Sequence, residues 1–201
     1  KTENFKVSTM KTGNHELGLG FFNPLYKSRD NLEIIMPALG KGSYNVKLCA
    51  KNKWAIAISN FCSDEIIIDH IESYLENSPL SKKEALKKIR LTKLIYLTEK
   101  ESDAEKYAFS ENSPYMQVIN TIFTKLKKYN RHNCFGDNVN NLQEAAKSVL
   151  LYGTPDKANK YFLNIKKEYG ELGSIVYVSV PLTGQQIFDK SLKLFASEVN
   201  V

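Results

Sequence analysis

The sequence predicts an α+β fold: a single domain in which a mostly antiparallel sheet of about five or six strands packs with helices. Three observations lead there. Residues 14–59 run as short apolar stretches separated by polar turns, and connections that short join antiparallel neighbours. Residues 115–153 carry helical spacing on both sides of a turn-rich segment, and residues 154–201 read helix, strand, helix. No repeat, low-complexity stretch or linker divides residues 1–201.

Residues 1–12 are polar, a lead-in or a first strand around Phe5 and Val7. Leu17, Leu19 and Phe21 share one parity, which predicts a strand with His15 on the same face. Asn23-Pro24 ends it. Leu32–Leu39 predicts a second strand, and Gly40-Lys41-Gly42-Ser43 turns into a third over Tyr44–Ala50. Trp54–Ser59 completes the meander. Ile67, Ile71 and Leu75 lie on one side of a helix over Ile66–Leu75. Ser81-Lys82-Lys83-Glu84 has the form of a capping box and starts another helix. Leu91–Thr98 predicts a strand, while Glu99–Asn112 is charged and gives no clear period. Val118, Ile119, Ile122, Phe123 and Leu126 make Tyr115–Lys128 an amphipathic helix, followed by one from Val139 to Leu150. Pro155 suits the first turn of a helix reaching about Tyr169. Ser174–Val180 is the strongest strand signal, and Gln185–Val199 closes as an amphipathic helix.

The 201 residues, 42% hydrophobic and 25% charged, suit a globular chain with a buried core. Cys49, Cys62 and Cys134 are an odd set without paired spacing, so neither a disulfide framework nor a zinc motif is expected, and no metal or other cofactor is called for. That usage suits the cytoplasm, or secretion into a reducing host cytosol. No apolar run approaches the length of a transmembrane helix. Residue 1 is Lys rather than Met, which fits a trimmed start and leaves a removed secretion signal open. The net charge of +6 permits anionic partners. The basic residues come as scattered pairs amid acids, which favours solvated helix faces over a nucleic-acid stripe.

The chemistry centres on Lys128-Tyr129-Asn130-Arg131-His132-Asn133-Cys134-Phe135-Gly136-Asp137-Asn138-Val139. Cys134 stands just before a helix, where unpaired amide groups and the positive end of the dipole favour a thiolate. The competing reading is a small buried hydrophobe in a helix-loop-helix joint. His132 is too close along the chain to serve as general base, and His70 reads as a surface histidine beside Asp69 and Glu72. His15 is the better partner, because thiol catalysis needs an imidazole within reach of the sulfur. Gly40-Lys41-Gly42-Ser43 is similar to a kinase glycine-rich loop, but Ala57 and Ile58 stand where a phosphate-pairing lysine is needed and no catalytic-loop motif follows. A hairpin turn accounts for it better.

Tyr129 to Leu142, with Asn133-Cys134 ahead of an apolar helix, resembles the cysteine motif of circularly permuted papain-like thiol hydrolases. These form the NlpC-type superfamily, with PPPDE peptidases and lecithin:retinol acyltransferase-like proteins among them. Thr12-Gly13-Asn14-His15-Glu16-Leu17-Gly18 resembles the strand that supplies their histidine. The resemblance covers two segments of the chain and departs from the motif at Gly136 and Asp137, where an aromatic is usual. It implies a permuted papain-like fold, with Cys134 as nucleophile and His15 as base. Glu33 or Asn45, on the next strands, would orient the imidazole, with Glu33 the candidate third catalytic residue. Asn130, Asn133 and Gly18 are the candidate substrate contacts.

The expected function is thus a cysteine-dependent acyl hydrolase or acyltransferase acting on a protein or lipid acyl substrate, as in a bacterial effector or toxin. The Cys134 amide would help to hold the oxyanion. The positive charge and the apolar positions of the last helix add an anionic membrane surface as a partner. The alternative is a non-enzymatic basic effector or interaction module binding a protein or an anionic surface.

Overall fold

The computed structural model describes residues 33–180 and 185–200. Apart from Glu33, these belong to one compact unit, Ile34–Val201. Its elements in chain order are β1 (Ile35–Ala38), α1 (Tyr44–Lys51), β2 (Ala55–Ile58), α2 (Asp64–Asn77), α3 (Lys82–Leu86), β3 (Ile89–Leu97), α4 (Glu101–Ala108), α5 (Pro114–Lys128), a 3-10 turn (His132–Phe135), α6 (Leu142–Val149), β4 (Leu150–Gly153), α7 (Pro155–Glu168), β5 (Ser174–Val178) and α8 (Gln185–Glu198).

Every strand pairing among them is parallel. This corrects the expected antiparallel α+β fold to an α/β one, and the element at fault is α1. Tyr44, Val46, Leu48 and Ala50 alternate like a strand, but the buried set is Val46, Cys49 and Ala50, which is helical spacing. Gly40–Ser43 is accordingly a strand-to-helix turn and not a hairpin. With a helix in between, β1 and β2 run side by side in the same direction, Ile35 opposite Ala55 and Ala38 opposite Ile58. The strand expected around residues 14–22 lies outside the described residues.

β3 organises the sheet. β2 pairs with Ile89–Leu91, β5 with Arg90–Leu94 and β4 with Leu94–Leu97. A strand has two edges, and Arg90 and Leu91 pair with both β2 and β5, so these flank β3 on opposite sides. Leu94 pairs with both β4 and β5, so β4 follows β2 along the same edge. Where β5 ends, α8 takes over: the Leu97 N–H donates to the Ser191 hydroxyl at 2.8 Å, which leaves no orphaned donor.

The two faces of β3 bury different helices, as period-two alternation requires. Ile89, Leu91, Ile95 and Leu97 pack with Val46 and Cys49 of α1, Ile67 and Ile71 of α2, and Phe162 of α7. Leu94 and Tyr96 face the other way, onto Ala104 and Ala108 of α4 and Tyr115 of α5. Strands buried on both faces read as continuous apolar runs, which is how the second half of β3, Leu94–Leu97, reads. A third cluster joins Ile119 and Phe123 of α5 to Cys134, Phe135 and the Ala145, Ala146 and Val149 face of α6. No helix among the described residues is long and apolar enough to cross a membrane.

Candidate ligand site at the carboxyl ends of the strands

Parallel α/β sheets bind ligands outside the carboxyl ends of their strands, where the strand-to-helix turns gather. Two regions lie there. The first is built from the turns after β1 and β2 together with the 3-10 turn. Cys134 offers its carbonyl to the Ser63 N–H at 2.8 Å, and the Cys62 thiol donates to the Leu39 carbonyl at 3.2 Å. His70 is fully buried. Its Nε2 lies 2.9 Å from the Gly40 carbonyl and so carries the proton, and burial pulls the ring's pKa down and keeps it neutral. The surface position expected for His70 is thereby corrected. Lys41 is held by Glu65 at 2.7 Å and by Asp137 at 2.5 Å, which together raise its pKa. The Gly42 N–H, at the approach to α1, donates to the Asp69 carboxylate at 2.9 Å.

Within this region the residues singled out from the sequence fall as follows. Cys134 is 0% exposed, and burial pushes its thiol up to about 12. It is the buried hydrophobe of the joint between α5 and α6. The turn around it, not the α6 dipole, sets its surroundings, since residues 135–141 separate Cys134 from Leu142. Asn133 and Asn130 are exposed, Asn130 with φ at +57°. Asn133 lies over Gly40, where an added Cβ would come within 3.3 Å of its Oδ1. Glu33 is exposed just before β1, and Asn45 on α1 donates to the Pro37 carbonyl at 3.3 Å. His15 and Gly18 lie outside the described residues.

The second region is an opening of about 510 Å³ between the end of β3 and α8, within the size range of small-molecule pockets. Tyr96, Leu97, Ile187 and Leu194 supply apolar wall, and Glu99, Asp103, Lys190 and Lys193 supply charge. The Thr98 hydroxyl donates to the Lys100 carbonyl at 2.6 Å and fixes the turn after β3. Tyr96 stacks on Tyr107 and Tyr115 at ring separations of 4.9 and 5.4 Å, and burial raises its phenol to about 12, so it stays protonated. From the sequence, Ile187 and Leu194 read only as apolar positions of a last helix facing an anionic membrane, and the other residues of this lining carry no functional mark. The available signal was the long apolar strand ending at Thr98, which points to a ligand face only once the sheet is known to be parallel.

No family model matches the sequence, and no curated protein matches it. Solved structures do match in fold. The oxygenating constituent of 3,6-diketocamphane monooxygenase from Pseudomonas putida, a type II Baeyer-Villiger monooxygenase solved in complex with FMN, superposes with a TM-score of 0.66 at 13% identity, over 83% of this chain and 48% of its own. Monooxygenase RslO1 from Streptomyces bottropensis gives 0.53 at 13% identity, over 85% of this chain and 48% of its own. Apo-MsnO8 gives 0.53 at 12% identity, over 86% and 52%. The chain thus spans about half the length of the structures it matches. The likeness is one of fold, to the parallel α/β architecture of these monooxygenases, and it overturns the resemblance to papain-like thiol hydrolases, whose sheet would be antiparallel. The cysteine hydrolase or acyltransferase and the non-enzymatic effector are both set aside with it, along with Cys134 as a low-pKa nucleophile.

Proposed function

We propose that this chain serves a flavin-dependent monooxygenase-type reaction, with the opening between β3 and α8 receiving the organic substrate. The observation that carries the reading is the parallel α/β arrangement shared over 83% of the chain with an oxygenase solved with FMN. The opening adds support: apolar wall with a few polar groups on the rim suits an organic molecule whose polar end needs orienting. Lys190, Lys193, Glu99 and Asp103 are the residues to do that orienting.

A flavin phosphate asks for N–H donors and positive charge, which a helix start supplies. Gly40–Ser43 leads into such a start, but Asp69 already takes the Gly42 N–H and Glu65 and Asp137 already neutralise Lys41. A phosphate dianion arriving there meets three carboxylates. This turn does not fit the flavin phosphate. In this reading other residues hold the phosphate.

The test is a titration of FMN with the full chain, followed by quenching of flavin fluorescence, with Lys41→Ala run alongside. Saturable quenching that Lys41→Ala leaves unchanged is expected. No saturable quenching by the unaltered protein overturns the proposal, and a loss on Lys41→Ala overturns the placement of the phosphate away from this turn.

A further inference from the structure

Among the hydroxyls that line the opening between β3 and α8, only one has nothing to bond. The Thr98 hydroxyl donates to the Lys100 carbonyl at 2.6 Å, and the Ser197 hydroxyl to the Lys193 carbonyl at 2.8 Å. Tyr96 is 6% exposed, and its ring is held by packing on Tyr107 and Tyr115. Its hydroxyl nevertheless has no hydrogen-bond partner among the described residues. It is also not one of the polar atoms sealed from solvent, which are found at Ser63, His70, Ser73 and His132. A polar group this far buried normally has a partner, so a ligand in the opening is the natural source of the missing acceptor.

Asp103, in the first turn of α4, lines the same opening. Burial first, then the neighbouring Tyr107 phenol and the Asp103 charge, keep the Tyr96 phenol protonated, so it can only be a donor to an incoming oxygen. The two side chains are close enough for the carboxylate to act on the phenol, yet they do not bond to each other. A guest group that meets both must accept from Tyr96 and donate to Asp103. A carboxylate or phosphate meets Asp103 with like charge, and an ammonium has no lone pair to offer Tyr96. A hydroxyl does both from a single atom. Leu97, Ile187 and Leu194 give its carbon body an apolar wall.

We propose that the opening takes a hydroxylated apolar molecule, for which phenol is the simplest probe, with Tyr96 donating to the ligand hydroxyl and Asp103 accepting from it. This rests on the reading of the opening as the substrate site of an oxygenase-type reaction, and it narrows the substrate to one chemical class. Tyr96 is the specificity-determining residue. Its ring is already fixed by its aromatic neighbours, so little ordering cost falls on it when a ligand arrives. Asp103 is exposed and makes the weaker second contact, because water competes for its carboxylate.

The test is titration of the full chain with phenol and with toluene, in which a methyl group replaces the hydroxyl, followed by saturation-transfer NMR of the ligand. The quantity read is the ratio of the two affinities, which cancels the burial of the shared ring. Phenol should bind saturably, and its preference over toluene should fall about tenfold in Tyr96→Phe. The same ratio should fall about threefold in Asp103→Ala. Tyr96→Phe keeps the ring and its stacking, and circular dichroism checks that both variants fold. A merely structural role for Tyr96 would weaken both ligands together and leave the ratio unchanged, which overturns the proposal, as does the absence of saturable phenol binding. Benzamide, which also carries an acceptor and a donor, overturns the assignment to a hydroxyl if it binds more tightly than phenol with the same dependence on Tyr96. Saturable FMN quenching without phenol binding overturns this proposal alone, whereas phenol binding without FMN quenching supports the ligand class and overturns the oxygenase reading.

Discussion

The Lys93 ammonium, buried in the central strand with its side chain 3% exposed, donates at 2.9 Å to Asp64, whose side chain is 61% exposed. Asp64 is the first residue of α2, and its same oxygen accepts from the Tyr161 hydroxyl of α7 at 2.7 Å. One carboxylate thereby ties β3, α2 and α7 together. The ammonium also lies 5.2 Å from the centre of the Tyr161 ring. Burial, then the Asp64 charge, raises the Tyr161 phenol well above its ordinary range, so it remains a donor.

The pair is asymmetric, and so are its variants. Asp64→Ala leaves a buried ammonium without its counter-charge and the Tyr161 hydroxyl without an acceptor. Breaking a fully buried pair costs roughly 3–5 kcal/mol. The exposure of Asp64 lets water screen part of this, so a loss of about 2 kcal/mol is expected. Lys93→Met removes the buried charge and fills its place with apolar volume, leaving Asp64 in water. It should fall within about 1.5 kcal/mol of the parent. Urea unfolding of both variants tests this; equal losses would show that the ion pair does not carry the difference.

Cys62 and Cys134 give the stability a pH dependence. Burial pushes both thiols up to about 12, with the neighbouring Cys134 adding to the rise at Cys62. In the unfolded chain they ionise near about 8.5. Above that pH the native state binds more protons than the unfolded one, so stability falls as pH rises. The stabilisation from the protonated thiols is fully present below about 8.5 and is lost progressively towards about 12, at about 1.4 kcal/mol per thiol for each pH unit. Thermal midpoints between pH 8 and 10 should therefore drop, and Cys134→Ala should make the slope shallower. Iodoacetamide at pH 8 should leave both thiols untouched in the native protein. Rapid alkylation of Cys134 under those conditions would contradict its burial.

Much of the fold was readable because its signals are local. The helices at α2, α5, α7 and α8 and the strands β3 and β5 follow from periodicity and caps within each segment. What failed was pairing. In α1, Tyr44, Val46, Leu48 and Ala50 satisfy a two-residue period, and Cys49, which breaks the tie, is as apolar as its neighbours. β4, Leu150–Gly153, continues the apolar run of α6 and has no turn residue to mark its start. One helix misread as a strand was enough to convert a parallel sheet into an antiparallel meander, and with it the expected location of any site. The candidate site was less legible still. Tyr96, Thr98 and Lys193 meet only through the docking of α8 on β3, which depends on Ser191 and Leu97 finding each other across 94 residues. Lys93, a buried cation in the middle of β3, is a visible anomaly whose partner Asp64 no local pattern names.

Ser81 is a case where local sequence and structure agree. Its hydroxyl accepts from the Glu84 N–H at 3.3 Å while Glu84 reaches back to the Ser81 N–H at 3.2 Å, the reciprocal arrangement of a capping box. α3 has five residues and little else to start it. Ser81→Ala should cost about 1 kcal/mol, and Ser81→Asp, which keeps an acceptor, should recover most of that. Chemical denaturation of the two variants separates loss of the cap from a general effect of substitution at this position.

Gly173 tests how far the loop between α7 and β5 depends on close backbone approach. Its N–H bonds to Leu86 and Ile89 bring the α7–β5 loop against the start of β3, and the space a Cβ would occupy is filled by the Lys87 carbonyl and the Arg90 guanidinium. The carbonyl belongs to the turn between α3 and β3 and cannot move alone. Gly173→Ala must therefore push the loop outward and stretch both hydrogen bonds. The cost of such overpacking is about 3 kcal/mol, at the upper end of its usual range. Gly173→Ala paired with Arg90→Ala removes only the side-chain half of the clash, so most of the loss should persist. Full recovery in the double variant, read from urea midpoints, would place the whole clash on Arg90 and leave the loop free to shift.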